Sequence, residues 1–169
     1  TIYNFDVNLA DVDRGVYETL AFKVAQHPSE AMEYMLLRVL AYCFEYTEGI
    51  AFSKGGLSDP EEPAIVVRDL TGAMQGWIEI GSPEAARLHK ASKLAPRVVV
   101  YTHKDPDALL RQLAGARIHR AEGIEIHAVE RALLAELVAR LERRMVFELA
   151  VSDRHLYVTL GAATLSGVV

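Results

Sequence analysis

One cysteine, Cys43, is the whole thiol content of this 169-residue sequence, so no disulfide forms within the chain. Cys43 lies in an apolar helical stripe, and a reactive thiol needs a polar, partly exposed setting, so it reads as core. Such sparse cysteine usage fits a reducing compartment, and the expected location is the cytoplasm. No Cys and His cluster has zinc spacing. No apolar run approaches the roughly 20 residues of a membrane helix, and the polar alternation at the start gives no signal-peptide pattern. Basic charge is also short. Eighteen Lys and Arg against 23 Asp and Glu leave a net charge of −5, which argues against a broad, non-specific grip on nucleic acid. It leaves room for a small acidic metal site, where bound cations carry the positive charge. Phosphate-cradling GxxxxGK[ST] and GxGxxG motifs are absent, and so is a GxSxG elbow. The six histidines (27, 89, 103, 119, 127 and 155) are scattered, and none pairs with another at helix spacing.

What is present is a succession of alternating and helical segments. Residues 2–9 alternate polar and apolar, Asp11 to Gly15 is a turn, and residues 16–26 alternate again, which predicts a hairpin. His27-Pro28-Ser29-Glu30 predicts a helix start, with Ser29 as cap and Glu30 in the first turn. Met32, Met35, Leu36, Val39, Leu40, Cys43 and Phe44 then form one face of a helix ending near 47–49. Residues 50–62 read as a loop. Ala64 to Arg68, with its β-branched Ile65, Val66 and Val67, and 75–81 read as strands around the turn Asp69 to Gly72. Ser82-Pro83 predicts a helix to about Leu94, with Ser82 as cap. Val98 to Tyr101 is apolar throughout, as in a buried parallel strand. A helix from Asp105-Pro106 to about Leu113, a strand at 124–129, a helix from Glu130 to about Arg143 and a hairpin at 145–151 and 155–160 complete the chain. Arg140, Arg143 and Arg144 are expected to close that last helix, where cations suit the dipole. The expectation is a single α/β domain over 1–169, with a mixed sheet and antiparallel hairpins at both ends.

Four residues stand out as candidates for chemistry. Glu79 interrupts the apolar strand Trp77-Ile78-Glu79-Ile80-Gly81, on the same face as Trp77 and Gly81. Glu30 opens the first long helix, Asp69 ends a strand, and Lys90 lies on the helix after the Glu79 strand. Each has an ordinary structural reading: a strand face, a helix-dipole carboxylate, a turn residue, a solvated lysine. As a set they match metal-assisted phosphodiester cleavage. Carboxylates hold Mg²⁺, the ion activates a water, and a lysine stabilises developing charge.

The segments Asp11-Val12-Asp13-Arg14-Gly15, His27-Pro28-Ser29-Glu30, Glu62-Pro63, Asp69-Leu70-Thr71-Gly72, Trp77-Ile78-Glu79-Ile80-Gly81 and Arg97-Val98-Val99-Val100-Tyr101 resemble the YaeQ family of bacterial proteins over nearly the whole chain. The resemblance implies a variant of the PD-(D/E)XK nuclease-like fold, with a restriction-endonuclease-like core and no settled activity. It implies that Glu79 matches the strand carboxylate of the nuclease motif and Glu30 the helix carboxylate. The aspartate expected after Pro63 is Ala64, and the lysine expected two residues after Glu79 is Gly81. Asp69 is a substitute ligand only if the strand bends or ends before it. Lys90 would stand in as a migrated lysine, and Lys54 is a further cation near the pocket.

Two readings follow. In the first, the site is degenerate, and the protein is a non-catalytic binding or regulatory descendant of the nuclease-like fold, with a protein or nucleic-acid partner and no membrane. In the second, it is a Mg²⁺-dependent phosphodiesterase with Glu30, Asp69 and Glu79 as metal ligands and Lys90 assisting. The two lost motif positions favour the first.

Overall fold

Alternation and helical spacing translate directly into most of the elements seen in the computed structural model, which describes residues 1–54 and 61–169. In chain order these are β1 (Ile2–Asp11), β2 (Val16–Ala25), α1 (Met32–Phe44), β3 (Ile50–Phe52), β4 (Ile65–Arg68), β5 (Met74–Ile80), α2 (Ala85–Leu94), β6 (Arg97–Thr102), α3 (Pro106–Leu113), β7 (Glu125–Ala128), α4 (Arg131–Ala139), β8 (Arg144–Ser152), β9 (His155–Leu160) and β10 (Ala163–Val168). Gly55, Gly56, Ser58, Asp59 and Pro60 of the expected loop lie outside the described residues.

The class is mixed α/β, as expected, but with two five-stranded sheets in place of one. The strands run in the orders β10-β9-β8-β1-β2 and β3-β4-β5-β6-β7. The reason is a pairing that no local pattern encodes. β1 runs parallel to β8, with Phe5 opposite Met145 and Leu9 opposite Leu149. The two terminal hairpins therefore join each other instead of extending the central strands. The chain divides into two compact units, Thr1–Val39 with Val129–Val169, and Leu40–Ala128.

In the first unit one sheet face is dry. Phe5, Val7, Leu9, Phe147, Leu149 and Val158 are buried there, because residues two apart on a strand share a face. α4 lies against β10. A Cβ at Gly167 would come within 3.2 Å of Leu133, so the small residue lets helix and strand approach. The opposite face, through Asp6, Asn8, Tyr17, Glu148 and Tyr157, is open to solvent or only half-buried.

In the second unit β3, β4 and β5 are antiparallel, while β5, β6 and β7 are parallel. α2 joins β5 to β6, the crossover that the buried 98–101 run implies. Trp77, Leu88, Ala91, Ala95, Val98, Val100 and Leu109 form its core.

Helix ends differ from expectation. α1 begins at Met32, and Glu30 precedes it, with its N–H bonded to the His27 carbonyl at 2.9 Å. The Ser29 hydroxyl pairs with His27 Nδ1 at 2.7 Å instead of capping the helix. α1 also stops at Phe44, before the expected 47–49. α2 starts at Ala85 with Glu84 at its cap position and no side-chain cap, so neither Ser82 nor Pro83 takes its expected place. α4 ends at Ala139. Arg143 therefore lies beyond the helix, and Arg144 begins β8, where it meets Asp6 at 3.2 Å. α3 begins as read, with Asp105 accepting from the Asp107 N–H at 2.9 Å and Pro106 leading the helix, and α4 begins at Arg131 with the expected Glu130 at its cap position.

Candidate functional site

Glu79 lies on β5, flanked by β4 and β6, and is 4% exposed. A carboxylate buried to that degree must be paired. Trp77, two residues back and hence on the same face, donates its indole N–H to Glu79 Oε2 at 3.2 Å. The larger partner comes from α2. Arg87 donates from Nε to Oε2 and from a terminal nitrogen to Oε1 at 3.3 Å, a forked grip on both carboxylate oxygens. The Arg87 guanidinium also lies 5.4 Å from the Trp77 ring centroid and donates to the Glu62 carbonyl at 2.8 Å. Glu62 in turn accepts from the Ser53 hydroxyl. One turn along α2, Lys90 pairs with Glu61. The result is an Arg-filled carboxylate pocket with a second, more exposed ion pair at its rim.

The other candidates have different surroundings. Glu30 is buried, and Arg38 of α1 grips it at 3.0 and 3.1 Å while also donating to the Ala25 carbonyl at 3.0 Å. The His27 N–H adds a bond to Glu30 Oε1 at 3.1 Å. Asp69 is exposed beyond the end of β4, so the strand does end before it, with a register shift between Val67 and Arg68. Its Oδ1 accepts from the Thr71 hydroxyl and from the Thr71 and Ala73 N–H groups, and its Oδ2 accepts from Gln75. The Thr71 hydroxyl bond holds the Asp69 carboxyl below the usual range, helped by the Ala73 and Thr71 N–H groups and by Gln75. Asp69 and Glu79 sit at opposite ends of the β4–β5 hairpin. Glu79 is roughly 17 Å up β5 from Met74, at about 3.3 Å per residue, and Met74 faces Arg68. The hairpin therefore separates these two carboxylates. It is Glu79, Arg87 and Glu62, with Lys90 and Glu61 beside them, that come together. Lys54 is exposed. Among the described residues, no three His, Cys, Asp or Glu side chains form a group that could hold a metal ion.

The two altered motif positions have local reasons. Ala64 is buried just before β4. Gly81 follows β5 at φ 95°, in the left-handed region that favours glycine, while its N–H bonds the Tyr101 carbonyl at 2.8 Å. A lysine there would be strained.

A profile described as YaeQ protein matches residues 1–168. The chain belongs to the YaeQ family. Its YaeQ relatives include the uncharacterized protein YaeQ of Escherichia coli (strain K12), 30% identical over 90% of this chain and 84% of that protein. The counterpart in Salmonella typhi shows the same identity and coverage. Among solved structures, the YaeQ protein of Pseudomonas syringae matches at a TM-score of 0.90 and 34% identity, over 99% of this chain and 92% of that one. The YaeQ protein of Xanthomonas axonopodis pv. citri matches at 0.89 and 26%, over 99% and 95%. The two-sheet arrangement is thus shared with YaeQ structures.

Sequence reasoning overlooked the arginines. Arg38 follows Glu30 by eight residues, and Arg87 follows Glu79 by eight. The available signal was physical: a carboxylate placed among apolar residues needs a cation, and the next helix supplied one each time. It also overlooked a second polar cluster. Buried Glu45 accepts from the Tyr101 hydroxyl at 2.9 Å and from Arg97, which also grips Glu125 at 2.7 and 3.1 Å. Burial works against the Arg97 charge, but the bonds to Glu125 and Glu45 outweigh it and push its pKa up. The same Arg97 bond holds Glu125 below the usual carboxylate range.

Proposed function

We propose that this YaeQ-family protein is a non-catalytic binding descendant of a nuclease-like, restriction-endonuclease-type fold, and that it offers the cationic edge of α2 to an anionic partner. One observation carries this reading: the Glu79 carboxylate is already gripped on both oxygens by Arg87 and held by the Trp77 indole. Mg²⁺ requires near-octahedral oxygen ligands at about 2.0–2.1 Å and dehydrates reluctantly. To reach Glu79 it would have to displace a guanidinium and leave that positive charge beside it. These residues do not fit the ion. Arg87 is taken up by Glu79 and Lys90 by Glu61, so an anion would be met by exposed Lys93 and the outer side of the Lys90 pair, on a helix that carries no acidic residue between Ala85 and Leu94. The cytoplasm, where single-cysteine proteins keep their thiol reduced, is the proposed location. No helix among the described residues is long and apolar enough to cross a membrane.

Calorimetric titration of Mg²⁺ and Mn²⁺ into the wild type and Glu79→Ala tests the reading. Negligible, equal heats are expected from both. A wild-type binding isotherm that disappears in Glu79→Ala, together with Mg²⁺-dependent cleavage of a short single-stranded oligonucleotide, would overturn it in favour of a phosphodiesterase with Glu79 as a metal ligand. The anionic-partner half is tested by fluorescence anisotropy of the same oligonucleotide in chelator. Salt-sensitive binding that weakens in Lys90→Ala supports it, and binding indifferent to Lys90 and Lys93 overturns it.

A further inference from the structure

We propose that the outer edge of β2 is an interface with a second copy of this chain, the two β2 strands pairing antiparallel about a two-fold axis at Leu20. This goes beyond the Glu79 reading and stands independently of it. The sheet order leaves β2 at an edge, with β1 on one side only. Ladder geometry shows which of its backbone groups are left over. β2 pairs with β1 through Val24 opposite Tyr3 and Leu20 opposite Val7. One step beyond that ladder the Gln26 N–H donates to the Thr1 carbonyl at 2.8 Å, so residues of even number turn their polar groups toward β1. The Ala25 carbonyl accepts from Arg38 at 3.0 Å instead, so residues of odd number turn theirs outward. This alternation holds along an antiparallel strand. Tyr17, Thr19, Ala21 and Lys23, all exposed, therefore each present one N–H and one C=O at the edge. Among the described residues none of these groups has a hydrogen-bond partner. The other edge of the same sheet differs. β10 has six residues, and its Val168 carbonyl accepts from the Glu130 N–H at 3.3 Å. A long uncovered edge is a template for another strand.

The open set is symmetric about Leu20, and this selects a second copy as the occupant. With Leu20 on the axis, Tyr17 of each copy falls opposite Lys23 of the other, and Thr19 opposite Ala21. Every outward N–H then meets an outward C=O, and none is left over on either strand. Moving the axis one residue toward the C-terminus sets Tyr17 against Ala25, whose carbonyl Arg38 already holds. Moving it one residue the other way sets Lys23 against Gly15, in the turn outside β2. The side chains agree with the same register. Residues paired across strands share a face, so the Lys23 ammonium lies beside the Tyr17 ring of the other copy, a cation–π arrangement. Tyr17 is 62% exposed in the single chain and gains cover there. On the other face Glu18 falls opposite Phe22, and buried Leu20 meets its own copy, which continues the dry face of the sheet. No like charges meet. A contact of one strand per copy is small, so the dimer is expected to be weak and concentration-dependent.

Sedimentation equilibrium of the full chain, with amide hydrogen exchange at low and high protein concentration, tests the interface. A monomer–dimer equilibrium is expected, and the amides of Tyr17, Thr19, Ala21 and Lys23 should exchange more slowly as concentration rises. Tyr17→Lys sets like charges opposite each other at two symmetric positions and is expected to weaken the dimer about tenfold. Tyr17→Glu sets opposite charges there and is expected to keep or tighten it. Both replace an exposed side chain, and unchanged exchange of the β1 amides verifies that the sheet persists. A chain that stays monomeric up to about millimolar concentration overturns the interface. So does a dimer that ignores Tyr17→Lys, one weakened equally by both substitutions, or one whose protection falls on other amides.

Discussion

At the scale of the residue, this protein handles its charges in two ways, and burial decides which. Glu30 has a fully buried side chain, and the side chain of its partner Arg38 is 10% exposed. Removing one member of a buried pair leaves the other uncompensated, at a cost of about 3–5 kcal/mol. Glu30→Ala is therefore expected to lower unfolding free energy by about that much in urea titration. Glu79→Ala leaves Arg87 at 26% side-chain exposure, where water can reach the orphaned guanidinium, so a smaller loss of about 1–3 kcal/mol is expected. Equal losses would contradict the role assigned to burial. Glu125 gives a pH-dependent counterpart. Its folded pKa is depressed, chiefly by the Arg97 hydrogen bond. A group with a depressed folded pKa stabilises above its unfolded value, and that stability drains away as pH falls through the folded value. Urea midpoints measured from neutral pH down to about pH 3 should fall more steeply for the wild type than for Glu125→Gln below the ordinary carboxylate range.

At the scale of the element, backbone geometry governs what the sequence tolerates. Gly49 has φ 88°, and a Cβ there would come 2.0 Å from the Arg68 carbonyl oxygen, across the same contact where Arg68 N–H bonds Gly49 C=O at 3.0 Å. Gly49→Ala combines a left-handed backbone with a backbone collision, and a loss of at least about 2 kcal/mol is expected by thermal or urea unfolding. At α3, Asp105 supplies the cap, and Asp105→Ala should cost about 1 kcal/mol. These elements also show what local patterns convey. The cap of α3 was legible because Asp-Pro acts through its nearest neighbours. The starts of α1 and α2 were not: the Ser29 hydroxyl is taken by His27 Nδ1, and Glu84 holds the cap position of α2 without a side-chain bond. Asp69 was readable as a turn residue, while its four hydrogen bonds became evident only when Thr71, Ala73 and Gln75 were seen to surround it.

At the scale of the whole molecule, the first unit depends on strands far apart in sequence. Asp6 and Arg144, 138 residues apart, meet across the β1–β8 pair. A two-stranded hairpin alone is marginal in water, so a chain ending before Arg144 is expected to lose the order of β1 and β2. Hydrogen exchange should show their amides exchanging at near-unfolded rates, and retained protection would refute this dependence. The sequence by itself determined the period of most strands and helices (β3 and β10 excepted), the apolar faces, the burial of Cys43, the turn at Asp69 and the oddity of a carboxylate at Glu79, because periodicity and turn chemistry act over a few residues. Tertiary structure alone decided that the terminal hairpins share a sheet, that Glu79 belongs to Arg87, and that Glu45 and Glu125 share Arg97. Those facts arise from pairings between distant segments, where register and the need to neutralise buried charge outweigh anything a local pattern can state.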